Sequence, residues 1–493
     1  MTRPNILWIC TDQQRWDTLS FLGHAGARTP AIDRLAAAGT AFDRAYCQSP
    51  ICTPSRASFL SGKYPIAHRV QRNGNEGFPG DIVLVPRLFR DAGYRTGLIG
   101  KLHLSRANGV VEKRPADDGY DEFCWSHHPD PDWAEGHDYH DWLKERGVDA
   151  KAIYDPLRAI GPGVDAEVHQ TTWAGERAKG FMRRHAGRPW FLSINLFDPH
   201  PPFDPPASYL ARFDRAEMPG PVFAPSDLEH QERLFEVDQQ ARVAVDPRRG
   251  DPDSAMYEPP APRPAGANHD TPPETYDGKL VRACYHAMIA LIDDMVGELV
   301  AVLEETGQRR DTIVLFMSDH GELLGDHGLI YKGARFYEGL VRVPMVFSWP
   351  GHVREGVVSQ ALVELVDLPQ TLLEAAGLPE GEGMQGKSLW PLLTGAAPAE
   401  FHKPYVLCEY FDALGLPDPR HTRASMYFDG RYKLSVYHGH GTGELYDLEE
   451  DPSEFRDLWE AEEARELRCR LTARAFDALM RVSEPGPRRT ASY

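Results

Sequence analysis

Short runs of unbroken apolar side chains recur along the chain, and polar residues follow each directly. Asn5 to Cys10 opens the series and leads into Thr11-Asp12-Gln13-Gln14. Tyr94 to Gly100 delivers Lys101-Leu102-His103, and Trp190 to Phe197 ends in Asp198-Pro199-His200-Pro201-Pro202. Thr312 to Met317 ends in Ser318-Asp319-His320-Gly321-Glu322, and Pro344 to Trp349 adds a further run. Runs of this length without alternation predict strands buried on both faces. Between them the apolar spacing changes to three and four. Leu280, Tyr285, Met288, Ile292, Val296, Leu299 and Leu303 predict one long helix from Thr275 to Glu305. Shorter helices are predicted at 31–38 after Thr29-Pro30, at 83–89 stopping by Gly93, at 164–185, and at 365–376 stopped by Gly377. Strands alternating with helices predict an α/β fold with a large, mainly parallel sheet sandwiched by helices.

The pattern changes near residue 400. Tyr405 to Tyr410 reads as a strand, and Asp429-Gly430 between 425–428 and 431–436 is a two-residue hairpin signal. Glu444 to Leu448 adds a strand and 461–480 a helix. The division expected is a catalytic α/β domain over 1–395 and a small C-terminal antiparallel sheet with one helix over 396–493, its tail loose from Glu484. Segments 112–141 and 201–273 are rich in proline and charge, without clear periodicity. They read as irregular, and the longer one as an insertion over the mouth of a site.

Composition narrows the function. The 493 residues carry a net charge of −19, which excludes a nucleic-acid binder. An anionic substrate would need local cations to outweigh that field. No run reaches the ~18 apolar residues of a membrane span. The N-terminal run reads as the first core strand and not as a signal peptide. Seven cysteines at scattered spacings argue against a disulfide framework and for a reducing cytoplasm.

Ligands of open α/β sheets gather beyond the carboxyl ends of the strands. Three runs end there in Asp12-Gln13, His200 and Asp319-His320. Two carboxylates, an amide oxygen and an imidazole suit one divalent cation. The oxygens favour calcium, and the histidine leaves manganese or magnesium open. Elsewhere, Cys52-Thr53-Pro54-Ser55-Arg56 precedes a short helix from Ser55 closed by Gly62. Cys52 is thereby placed just ahead of a helix N-terminus, which favours anions, with Arg56 one turn on.

That pentapeptide resembles the Cys-x-Pro-Ser-Arg signature of the type I sulfatases, in the alkaline-phosphatase-like superfamily. Asp12-Gln13 resembles the family's first metal pair and Asp319-His320 the second, although many relatives have Asp-Asp and Asp-Asn there. Gly100-Lys101-Leu102-His103 resembles its Gly-Lys-x-His motif, Pro199-His200-Pro201-Pro202 the segment of its second active-site histidine, and Lys332 with Arg342-Val343-Pro344 its last block. Tyr446-Asp447-Leu448 with Asp451-Pro452 resembles a C-terminal motif. The resemblance runs from residue 5 to about 455 and implies an alkaline-phosphatase-like fold.

The resemblance further implies that Cys52 is converted by a maturation enzyme to formylglycine, whose hydrate attacks sulfur beside the cation held with Asp12, Gln13, Asp319 and His320. His200 and Lys332 assist the leaving group, His103 takes the proton that expels sulfate, and Arg56 and Lys101 orient the hydrate. Asn73 is expected to touch substrate. The substrate implied is a small-molecule or saccharide sulfate ester, and a homo-oligomer stays open. A phosphonate monoester or phosphodiester hydrolase of the same superfamily is the alternative, and that branch tends to lack the pair formed here by Lys101 and His103. A binder of sulfated glycans without turnover is the alternative of another class. His127-His128 and His137 with His140 read as a polar rim, Gly439 to Gly443 as a turn, and His327 and Arg335 as neighbours of the last block.

Overall fold

A computed structural model describes residues 3–483 apart from 108, 130–134, 155–156, 158 and 258–271. The tail expected to be loose from Glu484 lies outside the described residues. Eight strands form the main sheet, in the order Val357–Ser359, Thr40–Phe42, Met345–Ser348, Thr312–Ser318, Asn5–Thr11, Trp190–Asn195, Arg95–Gly100 and Glu122–Trp125. Met345–Ser348 runs antiparallel to both neighbours, and every other pairing is parallel. The sheet is thus large and mainly parallel, as its apolar runs predict.

Alternation along the central strand divides the core into two layers. Leu7 and Ile9 join Leu192, Ile194, Val314 and Phe316 beneath Leu35, Trp173, Ile292 and Leu299. Those last four lie on the helices Pro30–Ala37, Gln170–Arg184 and Gly278–Glu305. Ile6, Trp8 and Cys10 face the other way, toward Phe59 and Leu60 of the helix Cys52–Ser61 and Leu368 and Leu372 of Leu368–Ala375. Both faces are therefore covered, which is why the strands show no polar alternation.

The strands Val406–Phe411, Arg423–Phe428, Tyr432–His438 and Thr442–Asp447 form a four-stranded antiparallel sheet. Leu407, Tyr427, Leu434 and Leu445 pack under Leu471, Ala475 and Ala478 of the helix Arg465–Val482. Its other face, through Cys408, Tyr410, Met426 and Phe428, merges with the core of the main sheet.

Two segments hold more structure than the sequence suggests. Glu122–Trp125 is the edge strand inside 112–141, and a helix Asp138–Glu145 follows. The strand is only four residues long and mostly half-buried, so its apolar signal is weak. Within 201–273, Ser226–Arg233 is a helix that buries only Asp227 and Gln231. Acidic residues in its first turn and basic ones in its last suit the helix dipole, but polar buried positions give no apolar period. The helix that carries the cysteine signature also begins earlier than expected, with Cys52 itself as its first residue.

The small sheet is tied to the Cys52 side of the main core through a carboxyl. Glu409 is 1% exposed and accepts the Ile66 N–H at 3.0 Å. Burial pushes its pKa from 4.5 up to about 8. Because the folded value exceeds the unfolded one, this stabilisation is complete below about pH 4.5 and is lost as pH rises through about 8. Glu409→Gln keeps an acceptor for Ile66 and removes the titration. Its melting temperature relative to wild type will therefore rise steadily from pH 5 to about pH 8 and level off above. Thermal melts across that range check this.

Candidate active site

Parallel register sets the site. Gly100 aligns with Asn195, Asn195 with Cys10, and Thr11 with Ser318. Lys101, Asp12 and Asp319 therefore leave the sheet side by side. Gly100 adopts φ +103, and a Cβ there would lie 1.9 Å from the carbonyl of Asn195. The turn into Lys101 consequently requires glycine.

The helix Cys52–Ser61 is buried at every residue and lays its first turn across these strand ends. Gly62 ends it at φ 68, its N–H donating to Ser58 at 2.8 Å. Pro54 fits inside the first turn, whose N–H groups have no helical partner. The Ser55 hydroxyl donates to the Asp319 carbonyl at 2.5 Å, and Asn73 Oδ1 accepts the Thr53 N–H at 3.1 Å. Asn73 thus caps this helix end.

The thiol of Cys52 is the focus. Its Sγ lies 3.0 Å from Lys332 Nζ, 3.2 Å from His320 Nε2, 3.5 Å from Asp12 Oδ1 and 3.8 Å from Lys101 Nζ. Arg56 spans the two carboxylates, donating through Nε to Asp319 at 2.9 Å and through Nη2 to Asp12 at 3.3 Å. Its Nη1 also donates to the Lys101 carbonyl at 2.6 Å. Lys101 Nζ donates to Asp12. Gln13, at φ 68, donates its N–H to Asp319 at 2.9 Å, and its Oε1 accepts from Lys332 at 2.8 Å.

Charge compensation sets the ionisation. Burial alone would raise Asp12, but Lys101 and Arg56 hold it well below the usual carboxylate range. Burial and Asp12 would raise the Cys52 thiol, yet Lys101, Lys332 and His320 bring it below its ordinary value. Burial opposes the charged form of His320, while Asp319 and Cys52 lift it to about 9. Its Nδ1 donates to the Gly321 carbonyl at 2.9 Å, which turns Nε2 toward Cys52.

One ligand atom each from Asp12, Cys52, Asp319 and His320 lies within 4.8 Å of the others, all four residues buried. Two carboxylates, an imidazole and the Gln13 amide form a donor set that fits a divalent cation.

His103 and His200 flank this centre, each buried, with Lys101 and Lys332 respectively as the strongest charged influence. Burial, then these lysines, push both imidazoles well below their ordinary pKa. His200 Nδ1 donates to the Pro201 carbonyl at 2.6 Å. The structure therefore gathers Cys52, Arg56, Lys101, His103, His200, Lys332, Asp12, Gln13, Asp319 and His320 around one point. His327 and Arg335 sit apart from it, bound to Asp227 at 3.1 Å and Gln231 at 3.0 Å.

Several supporting residues carry no signal in the sequence. Glu112 accepts from the N–H groups of His103 at 2.7 Å and Leu104 at 2.9 Å, and from Trp125 Nε1 at 2.8 Å. It holds His103 in its left-handed backbone, φ 55. Tyr285, from the N-terminal third of the long helix, donates to the Gln13 carbonyl at 2.5 Å. Glu322 accepts from Gln13 Nε2. Asp238 to Gln240, from the insertion, brace the Lys332 loop. The Gln240 N–H donates to the Lys332 carbonyl at 3.1 Å, and the Ala334 N–H to that of Asp238 at 2.8 Å.

Comparison with known proteins places this geometry in context. A family model described as "Sulfatase" matches residues 4–378, and one described as "N-sulphoglucosamine sulphohydrolase, C-terminal" matches 325–480. An arylsulfatase of Clostridium perfringens is 28% identical over 94% of this chain and 92% of its own length. The multifunctional alkaline phosphatase superfamily protein PehA of Trinickia caryophylli is 30% identical over 81% of this chain and 79% of its own. Among solved structures, a phosphonate monoester hydrolase from Silicibacter pomeroyi superposes with a TM-score of 0.80 at 26% identity, covering 98% of this chain and 96% of that one.

Arg56 separates two carboxylates that are fully buried. In chelator-treated protein, Arg56→Leu will lower the unfolding free energy by about 3–5 kcal/mol, the cost of breaking a buried pair. Adding Asp319→Asn to that variant will restore part of the loss. Denaturant titration of the single and double variants measures both effects.

Proposed function

Since the chain belongs to the sulfatase family, we propose that it hydrolyses a small-molecule or saccharide sulfate ester at a formylglycine derived from Cys52, with one divalent cation beside it. The observation that carries this reading is the convergence of Lys101, Lys332, His320 and Asp12 on Cys52 Sγ within 3.8 Å. Asp12, Gln13, Asp319 and His320 would hold the cation. Together, the cation and the hydrated aldehyde would supply a hydroxyl nucleophile and withdraw charge from a sulfate oxygen.

The chain's own residues perform the remaining tasks. Lys101 and Lys332 hold the anionic sulfate oxygens against the overall negative charge of the protein. Arg56 fixes both carboxylates and so orients the groups at position 52. His200, assisted by Lys332 beside it, delivers a proton to the departing alcohol oxygen, which carries charge as its bond to sulfur breaks. Burial and then Lys332 depress His200, and the anionic ester offsets the second of these, which favours the protonated imidazole. His103, kept neutral by burial and Lys101, takes the proton of the second hydroxyl at position 52 and so releases sulfate. Cys52 is 1% exposed, so its conversion by a maturation enzyme must precede folding.

The likeness to a phosphonate monoester hydrolase favours a second reading, cleavage of phosphonate monoesters or phosphodiesters at the same centre. Matured enzyme given an aryl sulfate and an aryl phosphonate separates the two. Sulfate turnover faster than phosphonate turnover is expected, and the reverse order overturns the first reading. Cys52→Ala will abolish sulfate turnover. Removing the cation will lower the rate by about 10²-fold or more, as loss of a principal electrostatic stabiliser does. Restoration with calcium, manganese or magnesium in turn identifies the ion.

A further inference from the structure

Two imidazoles, one buried and one half-buried, lie between the two histidines that the reaction leaves in opposite protonation states. We propose that His127 and His128 return a proton from His103 to His200 between turnovers, a reading that rests on the roles given to those two residues above.

Proton accounting creates the need. Hydrolysis converts ester and water into alcohol, sulfate and one proton. The alcohol's new hydrogen comes from His200, the proton released to solvent from the attacking hydroxyl, and the one taken by His103 from the second hydroxyl. Each turnover thus leaves His103 with one proton too many and His200 with one too few. Moving one proton from the first to the second resets both with no further reactant.

Geometry supplies a route. The rings of His103 and His127 meet edge to face with centroids 4.6 Å apart. His127 Nδ1 and His128 Nδ1 lie 2.6 Å apart, so one donates and the other accepts. His128 in turn meets His200 at 5.3 Å and a 90° interplanar angle. Proton transfer at each edge contact requires an imidazole to turn about its Cβ–Cγ bond until nitrogen faces nitrogen. His103 Nδ1 is buried without a hydrogen-bond partner. Because His200 Nδ1 donates to Pro201, its Nε2 is the atom to be reloaded.

The surroundings favour this internal path over solvent. His103, His127 and His200 are 7%, 2% and 4% exposed. His127 is fixed by the Gln170 amide, which donates to its carbonyl at 2.8 Å, and its N–H donates to His137 Nε2 at 3.1 Å. His137 stacks on His140, and Phe197 packs against His128. Burial and then Lys101 push His127 toward the neutral imidazole, which can accept on one nitrogen and donate from the other. His128 is only half-buried, so it is the member that small buffers can reach.

Pre-steady-state kinetics of matured enzyme on an aryl sulfate test the relay. His127→Phe and His128→Gln will release alcohol in the first turnover at the wild-type rate. Subsequent turnovers in weak buffer will then slow by about 10²-fold, the lower end of what a lost acid–base group costs. Added imidazole will restore much of the steady-state rate, and the solvent deuterium effect on that rate will rise. A first turnover and steady state that fall together and ignore imidazole indicate a merely structural role and overturn the relay. An unchanged steady-state rate in both variants overturns it equally. Absence of sulfate turnover in the wild type defeats the hydrolase reading itself.

Discussion

Two carboxylates with no access to solvent, Asp12 and Asp319, share one guanidinium. Burying such charges without compensation costs several kcal/mol each, so their partners are as much a condition of folding as of chemistry. Arg56 meets that condition from the Cys52 helix, Lys101 from the end of the strand Arg95–Gly100, and Lys332 from between Gln13 and Cys52. The same cations that make two buried carboxylates tolerable give an anionic ester a positive place within a chain of net charge −19. Structural stability and substrate attraction are thus two results of one charge arrangement. A divalent cation in the donor set would draw on those carboxylates too, which ties metal binding to folding.

Position is set by the sheet. Parallel register sends Asp12, Lys101 and Asp319 out at one edge, and a helix buried along its whole length sets position 52 across them. The residues behind this centre are less conspicuous. Tyr285 holds the left-handed turn at Gln13, Glu112 that at His103, and the Asp238–Gln240 segment the backbone of Lys332. The small C-terminal sheet joins the same core, and Asp238 accepts the N–H groups of Arg420 and Thr422 at 2.8 and 2.9 Å. The insertion thereby links the Lys332 loop to the C-terminal part of the chain.

Much of this was legible in the sequence because fully buried strands announce themselves as unbroken apolar runs, and the residues just past a strand's carboxyl end in an α/β sheet face the ligand. Asp12, Lys101, His200 and Asp319 were each visible in that way. Glu112 and Tyr285 were not. A glutamate in a polar loop and a tyrosine on a helix's apolar stripe look ordinary until the fold brings them to a particular backbone N–H or carbonyl. The edge strand Glu122–Trp125 and the helix Ser226–Arg233 escaped for a related reason: half-burial or polar burial erases the period. His127 and His128 were visible as a pair, but only the fold sets them between His103 and His200.

The central claim is that position 52 acts as an aldehyde hydrate and not as a thiol. A mass spectrum of the peptide containing position 52, taken from protein of known sulfatase turnover, tests it most directly. Formylglycine there, in proportion to active enzyme across preparations, is the result this account predicts. Unmodified cysteine throughout a fully active preparation would contradict it.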